Sequence, residues 1–375
     1  MTKPHNSSPT LAVFLATSGH SGVDRIMNNL LPAVVRLGIH VDLLKIGGHG
    51  PYIQDTPNGF RIVPLNCRHV STALPSLVRY LRNEQPVALL SDKDRVNRTA
   101  ILARWLARSN SRHYVRIGTT VSANLANRTK LERWKQTQSI RYLYSHSDGI
   151  LVPSKGVADD LHRLMRSNHP PIKVVPSPVV RGDLIALSTA SPIDPWLDKI
   201  SPPLILAAGE LSARKDHATL IRAFSVARAE RPMKLAIIGE GRERTRLQAL
   251  AHELGISSDV YLPGFVTNPY PWIARADVFA HSSRWEGLAV VLVEALALGT
   301  PVVATDCPSG TRELLDDGRL GRLVPVGDAN AMARAILDTL ITPIDRQSLQ
   351  YATQPYHVMR SARAYLHAMG LTPNV

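Results

Sequence analysis

Two carboxylates, Glu286 and Glu294, bracket the segment Glu286-Gly-Leu-Ala-Val-Val-Leu-Val-Glu294, and they are the residues best suited to chemistry in this chain. The second falls inside an apolar run, between Val293 and Ala295, where an unpaired charge is costly to bury and so requires a partner. The first sits just ahead of a helix expected over 290–298. There Gly287, Leu288, Ala289 and Val290 present main-chain N–H groups with no helical acceptor, a setting that attracts a phosphate or another anion. Ionised carboxylates accept hydrogen bonds from vicinal hydroxyls, each worth ~1.5–3 kcal/mol. The pair therefore suits a ligand that carries both a phosphate and a polyol. An ordinary helix start next to one ion-paired Glu accounts for the same residues.

Cations are available from a second segment, Gly209-Glu-Leu-Ser-Ala-Arg-Lys-Asp216, which is expected to link a strand to a helix. Arg214 would bind a diphosphate as a planar fork and Lys215 as a point charge, although a solvated surface loop reads identically. Gly239-Glu-Gly241 ends a further expected strand, and the residue three past Gly241 is Arg244. As a dinucleotide fingerprint it fails, and it remains a tight turn that allows close backbone approach. Near the start, Gly22 follows Gly19-His-Ser at the head of a helical pattern, another N-terminus able to face phosphate. No Walker A, HExxH or paired CxxC pattern occurs, so no metal or cofactor is expected. The two cysteines, Cys67 and Cys307, form neither a disulfide framework nor a ligand cluster and fit a reducing, cytoplasmic setting.

These loops must be held by strands and helices, which alternate along the 375 residues in two series. In the first, strands are expected near 11–17, 39–46, 61–65, 87–90, 113–117, 149–152 and 173–176. In the second they are expected near 204–208, 234–238, 260–262, 277–281 and 301–305. Such alternation implies parallel sheets covered by helices on both faces. Proline- and serine-rich residues 178–203 read as the connection between two domains. The expected organisation is a first domain over 1–178, a second over 179–345, and a helical tail over 346–375. Ligands of open parallel sheets lie beyond the carboxyl ends of the strands.

Charge is distributed unevenly. The whole chain carries +14, and the excess lies entirely before residue 182. Residues 95–141 contain eleven Lys/Arg against one acid, Glu132. One domain is therefore expected to meet an anionic partner, unless the stretch is simply a solvated basic face. No run approaches the ~18 apolar residues of a membrane-spanning helix.

Taken together, the motifs resemble the retaining glycosyltransferases of family 4 (glycosyl transferases group 1). Residues 276–306 look like that family's E-x7-E region and the A-x-G-x-P-V-V-A strand after it, and 309–313 continue the likeness. Gly209–Lys215 resembles the loop for the donor phosphates, Gly239–Gly241 its G-x-G turn, and the segment ending at Val266 the one against the nucleotide base. The resemblance implies a GT-B fold: two tandem Rossmann-like doubly wound α/β domains facing a central cleft, with a C-terminal helix crossing back to the first. It also implies a nucleotide-sugar donor, a uridine one by preference, used without a metal. Glu294 would hold the ribose, Glu286 the transferred sugar, and Lys215 with Arg214 the leaving diphosphate. Two departures stand out: Glu210 occupies the family's usual Arg position, leaving that role to Arg214, and no histidine matches the acceptor-side one.

Under that resemblance the basic first domain would receive a glycan acceptor, lipid-linked through polyprenyl diphosphate, at the inner face of the membrane during surface polysaccharide synthesis. Trp105, Tyr114, Trp134, Tyr142 and Tyr144 interleave with the arginines and are expected at that surface. A soluble transferase using a small carbohydrate or phosphorylated acceptor keeps every donor residue. A nucleic-acid-binding protein would leave Glu286–Glu294 idle, and a sugar-nucleotide epimerase would need further acid–base groups.

Overall fold

In the computed structural model, residues 9–372 are described except 20, 127, 166–168, 191–193, 195, 197–202 and 309. His20, Ser309 and most of the second half of the proline-rich connection thus lie outside the described residues.

The first apolar series becomes seven strands: β1 (Thr10–Leu15), β2 (His40–Lys45), β3 (Phe60–Pro64), β4 (Ala88–Asp92), β5 (Arg112–Arg116), β6 (Gly149–Val152) and β7 (Ile172–Val174). They pair in parallel in the order β3-β2-β1-β4-β5-β6-β7. The second series gives β8 (Leu204–Ala208), β9 (Lys234–Ile238), β10 (Val260–Gly264), β11 (Val278–His281), β12 (Val302–Thr305) and β13 (Arg322–Val324). These are again all parallel, in the order β10-β9-β8-β11-β12-β13. Central strands such as β8 and β11 are buried along nearly their whole length, and for that reason they read as unbroken apolar runs rather than alternating ones. β13 escapes a sequence reading because it is three residues long and begins with Arg322.

The chain divides into two units, Met1–Val179 with Val358–Val375, and Val180–His357. The tail needs a correction. It was expected to leave the second domain at 346, yet the helix Arg346–Ala352 belongs to the second unit. Leu349 is fully buried there, and Arg346 donates to the Leu298 carbonyl at 2.8 Å. Only the helix Val358–Ala368 joins the first unit, where it packs against the helix Gly22–Arg36.

That last helix is fixed to the first sheet by polar groups. Arg116, 2% exposed at the end of β5, donates to Asp92 at 2.5 Å and to the Tyr365 hydroxyl at 3.0 Å. Tyr114 donates to the Met369 carbonyl and Lys173 to that of Ala368, both at 2.7 Å. A buried ion pair adds little net stability, but removing one partner strands the other charge, at a cost of ~3–5 kcal/mol. Asp92→Asn is therefore expected to destabilise the first unit by about that amount, read as a lower urea midpoint, whereas Tyr365→Phe, which removes an acceptor from the same buried guanidinium, should cost ~1.5–3 kcal/mol.

Candidate active site

In the second sheet, chain order reverses between β8 and β11, which opens a crevice at the carboxyl ends of those strands. Two loops meet there, 209–216 after β8 and 282–289 after β11. Their side chains form one buried cluster around Glu286, which is 5% exposed. Lys215 Nζ donates to Glu286 Oε1 at 2.7 Å and Arg214 to Oε2 at 2.8 Å. The Ser283 hydroxyl donates to Oε1 at 2.9 Å, and His281 Nε2 lies 3.6 Å from the same oxygen. Burial pushes the Glu286 carboxyl up, but Lys215 and Arg214 outweigh it and hold the group down at about 2. The carboxylate is therefore ionised, oriented and charge-compensated.

Local backbone explains how the loops reach each other. Arg284 N–H donates to the Arg214 carbonyl at 2.8 Å, and the Ser282 hydroxyl to that of Lys215 at 2.9 Å. The Arg284 side chain pairs with Asp216 at 3.0 Å, which starts the helix His217–Glu230 at φ +47°. Thr305 at the end of β12 donates to the Ser283 carbonyl at 2.6 Å. The cluster thus draws on three strand ends.

The glycines serve this geometry. A Cβ on Gly239, where φ is +140°, would meet the Gly209 carbonyl oxygen at 2.0 Å, and one on Gly241 the Leu211 oxygen at 2.3 Å. The backbone that Gly239 and Gly241 admit is the neighbouring loop, bound through Gly209 N–H to Ile238 and Leu211 N–H to Glu240, both at 2.9 Å. A Cβ on Gly209 would press on Lys215 Cε at 3.0 Å. The G-x-G turn is thereby tied to the position of Lys215.

Glu294 is 2% exposed on the helix Val290–Ala297 and accepts from the Tyr270 hydroxyl at 3.3 Å. It lies one helical turn beyond Val290, which is partly exposed at the helix start; Gly287, Leu288 and Ala289 just ahead of the helix are buried. Val266 is partly exposed in the loop after β10, at the edge of the sheet. Glu210 is exposed. In the first unit, Gly22 is exposed at the first position of its helix. That start is already capped: Asp24 accepts from Ser21 N–H at 2.8 Å, from the Ser21 hydroxyl at 2.5 Å and from Thr17.

Sequence reasoning passed over His281, Ser283, His217 and Tyr270. The signal for the first two was a His and two serines directly after an apolar strand and within five residues of Glu286. His217 and His281 are both buried, and burial, followed by the Lys215 charge, lowers each to about 3. Both rings are therefore neutral. Among the described residues no group of three His, Cys, Asp or Glu is arranged to hold a metal.

The basic stretch is corrected in two ways. Its arginines are partly neutralised by acids from outside the stretch: Arg98 by Asp94, Arg104 by Asp148 and Arg116 by Asp92. Tyr114 and Tyr144 are buried rather than at a surface. The Tyr144 hydroxyl donates to Asp94 at 3.1 Å. Trp105, Trp134 and Tyr142 are exposed.

Comparison with known proteins agrees with this arrangement. Residues 202–341 match the family described as "Glycosyl transferases group 1", and residues 21–178 match the "Glycosyl transferase 4-like domain". A Campylobacter jejuni protein is 31% identical over 337 residues, 87% of this chain and 88% of that one. It is named N-acetylgalactosamine-N,N'-diacetylbacillosaminyl-diphospho-undecaprenol 4-alpha-N-acetylgalactosaminyltransferase. The lipopolysaccharide core biosynthesis glycosyltransferase LpsE of Rhizobium meliloti is 28% identical over 84% of each chain. Among solved structures, Anabaena HepE in complex with UDP superposes with a TM-score of 0.78 at 16% identity, covering 96% of this chain and 99% of that one. The galactosyltransferase WaaB gives 0.71 at 17% identity over the same shares. Two doubly wound parallel sheets, both family matches and a relative aligned along nearly its full length place this chain in the group 1 glycosyltransferases, enzymes of GT-B fold.

Proposed function

We propose that the chain transfers a sugar, with retention of anomeric configuration, from a uridine-diphosphate donor to a lipid-linked glycan at the inner face of the membrane. The product would be part of a surface polysaccharide. The observation that carries this reading is the buried cluster at the β8–β11 reversal, where two cations and a carboxylate share one spot. Arg214 and Lys215 can neutralise the leaving diphosphate as its charge develops, so that fixed charge stabilises the departing group. Glu286 and Glu294 supply acceptors for sugar and ribose hydroxyls. This use of Lys215 and Arg214 involves no metal. The uridine preference is supported by the UDP bound to the structurally similar HepE. The acceptor class is supported by the diphospho-undecaprenol named for the Campylobacter jejuni relative, and the product class by LpsE. Gly22 and Val266 are assigned to the donor on the family likeness alone.

Thermal unfolding against a panel of nucleoside diphosphates tests the donor. Saturation a hundredfold above the dissociation constant stabilises the native state by ~2.7 kcal/mol. A rise in the midpoint with UDP but not with GDP or ADP is expected, and a response to GDP alone would reject the uridine assignment.

A further inference from the structure

The helix Lys130–Gln138 buries none of its nine residues, yet it carries Leu131 and Trp134 one turn apart, 59% and 61% exposed. A short polar helix with two bare apolar side chains gains little stability from packing against its own chain. The segment that follows runs beside the helix Asp94–Ala107, tied at one end by Ser139 to Asp94 at 3.1 Å and at the other by Arg104 to the His146 carbonyl at 3.0 Å. That second helix exposes Leu102, Trp105 and Leu106 at i, i+3 and i+4, with Trp105 74% exposed. Tyr142, 47% exposed, lies on the segment between them. Trp105 also borders an open groove of about 1130 Å³ that takes in Leu102, Leu106 and Leu143 together with Arg82 and Arg108. The side chains of Arg108, Lys130 and Lys135 form no hydrogen bond or ion pair among the described residues, whereas most of the other cations of the stretch do.

We infer that the exposed sides of these two helices form one face, with Trp105 and Trp134 as its apolar anchors and Arg108, Lys130 and Lys135 as its free cations, and that it docks on an anionic phospholipid bilayer. The inference rests on the proposed membrane-surface reaction and specifies where the enzyme touches the membrane. Amphipathic helices with Trp and Leu on one side and Lys or Arg beside them lie in the headgroup region. Uncommitted cations add attraction to the lipid phosphates that fades within a Debye length. A nucleic acid could stack on Trp105, Trp134 and Tyr142 but would leave the exposed Leu102, Leu106 and Leu131 without a partner; a bilayer buries all of them.

The test uses the full chain with vesicles of phosphatidylglycerol and phosphatidylcholine, in the wild type, W105S/W134S and R108Q/K130Q/K135Q. Vesicle binding is read by co-sedimentation, and insertion by quenching of tryptophan fluorescence with brominated acyl chains. All five positions are exposed, and unchanged thermal midpoints will confirm intact folds. Binding to phosphatidylglycerol that weakens at 0.5 M salt is expected, together with quenching in the wild type. W105S/W134S should lose at least tenfold in binding and all of the quenching. The triple variant should bind ~100-fold more weakly, at about fivefold per cation. Equal binding by W105S/W134S, or binding without quenching, overturns the inference. So does a concentration-dependent dimer in light scattering that the tryptophan substitutions abolish, since it would assign the face to a second copy. UDP binding measured on the same samples separates the two proposals, because the candidate donor residues from Gly209 to Glu294 all lie in the second unit. Loss of nucleotide response with vesicle binding intact would fail the proposed reaction alone.

Discussion

Glu286→Gln is expected to reduce sugar transfer ~10²–10³-fold, the usual cost of removing one preorganised electrostatic group from an active site, while free UDP binds more tightly than to the wild type. The second half of that expectation comes from the geometry. Glu286 accepts from both Arg214 and Lys215, the cations assigned to the diphosphate, so carboxylate and diphosphate compete for the same two side chains. The neutral amide keeps the size and one acceptor oxygen but withdraws the competing charge. Steady-state kinetics with a UDP-sugar, together with calorimetric titration of UDP, would read both effects. Weaker UDP binding with unchanged turnover would mean that Glu286 only supports the loop. Lys215→Ala is the useful contrast. It leaves a buried carboxylate with one fewer cation and should cost several kcal/mol of stability besides activity.

Acid should unfold the protein early, with a steep dependence on pH. His113, His217 and His281 are fully buried, and each is lowered to about 3, first by burial and then by a nearby cation: Arg104 for His113, and Lys215 for the other two. His113 Nδ1, both ring nitrogens of His217 and His281 Nε2 make no side-chain hydrogen bond, and the nearby Glu286, which favours protonation of His281, is outweighed by burial and Lys215. In the unfolded chain each ring takes up a proton below its ordinary value of 6.5, whereas in the folded chain it does not until about pH 3. The unfolded state therefore binds more protons throughout that window, and stability falls as pH falls from 6.5 towards 3. Each group contributes a slope of ~1.4 kcal/mol per pH unit, or ~4 kcal/mol per unit for all three. Glu286 acts in the same direction at lower pH. Its stabilisation is complete above its unfolded value of about 4.5 and is lost as pH falls towards 2. Urea midpoints from pH 7 to 4.5 should drop steeply, and replacing any one of the three histidines with Asn should remove about a third of the slope. A flat profile over that range would show that the rings are already protonated in the folded state.

Much of the fold was legible in the sequence because it rests on local repetition. Buried parallel strands are apolar on both faces, so Leu204–Ala208 and Lys234–Ile238 announce themselves with their bounds intact. Glycines 38, 255 and 299 take positive φ where the helical patterns stop. The loops around Arg214, Lys215 and Glu286 were likewise legible, since a strand-to-helix loop in such a sheet lies where ligands bind. Sequence could not weigh the basic stretch. Residues 95–141 contain a single acid, yet Asp92, Asp94 and Asp148 flank it in the chain and fold against it. Tyr114 and Tyr144 carry the same ring as Tyr142, and only packing decides which of the three meets solvent.

The sequence by itself determined the two doubly wound sheets and which loops carry charge, because periodicity and local residue type depend only on near neighbours. Tertiary structure alone decided that Lys215 and Arg214 close on Glu286, that Gly239 makes room for the Gly209 loop, and that the last helix returns from Val358 rather than from Arg346. Each of these joins residues far apart along the chain, and the order in which strands pair in the sheet, which no local pattern encodes, brings them within hydrogen-bonding reach.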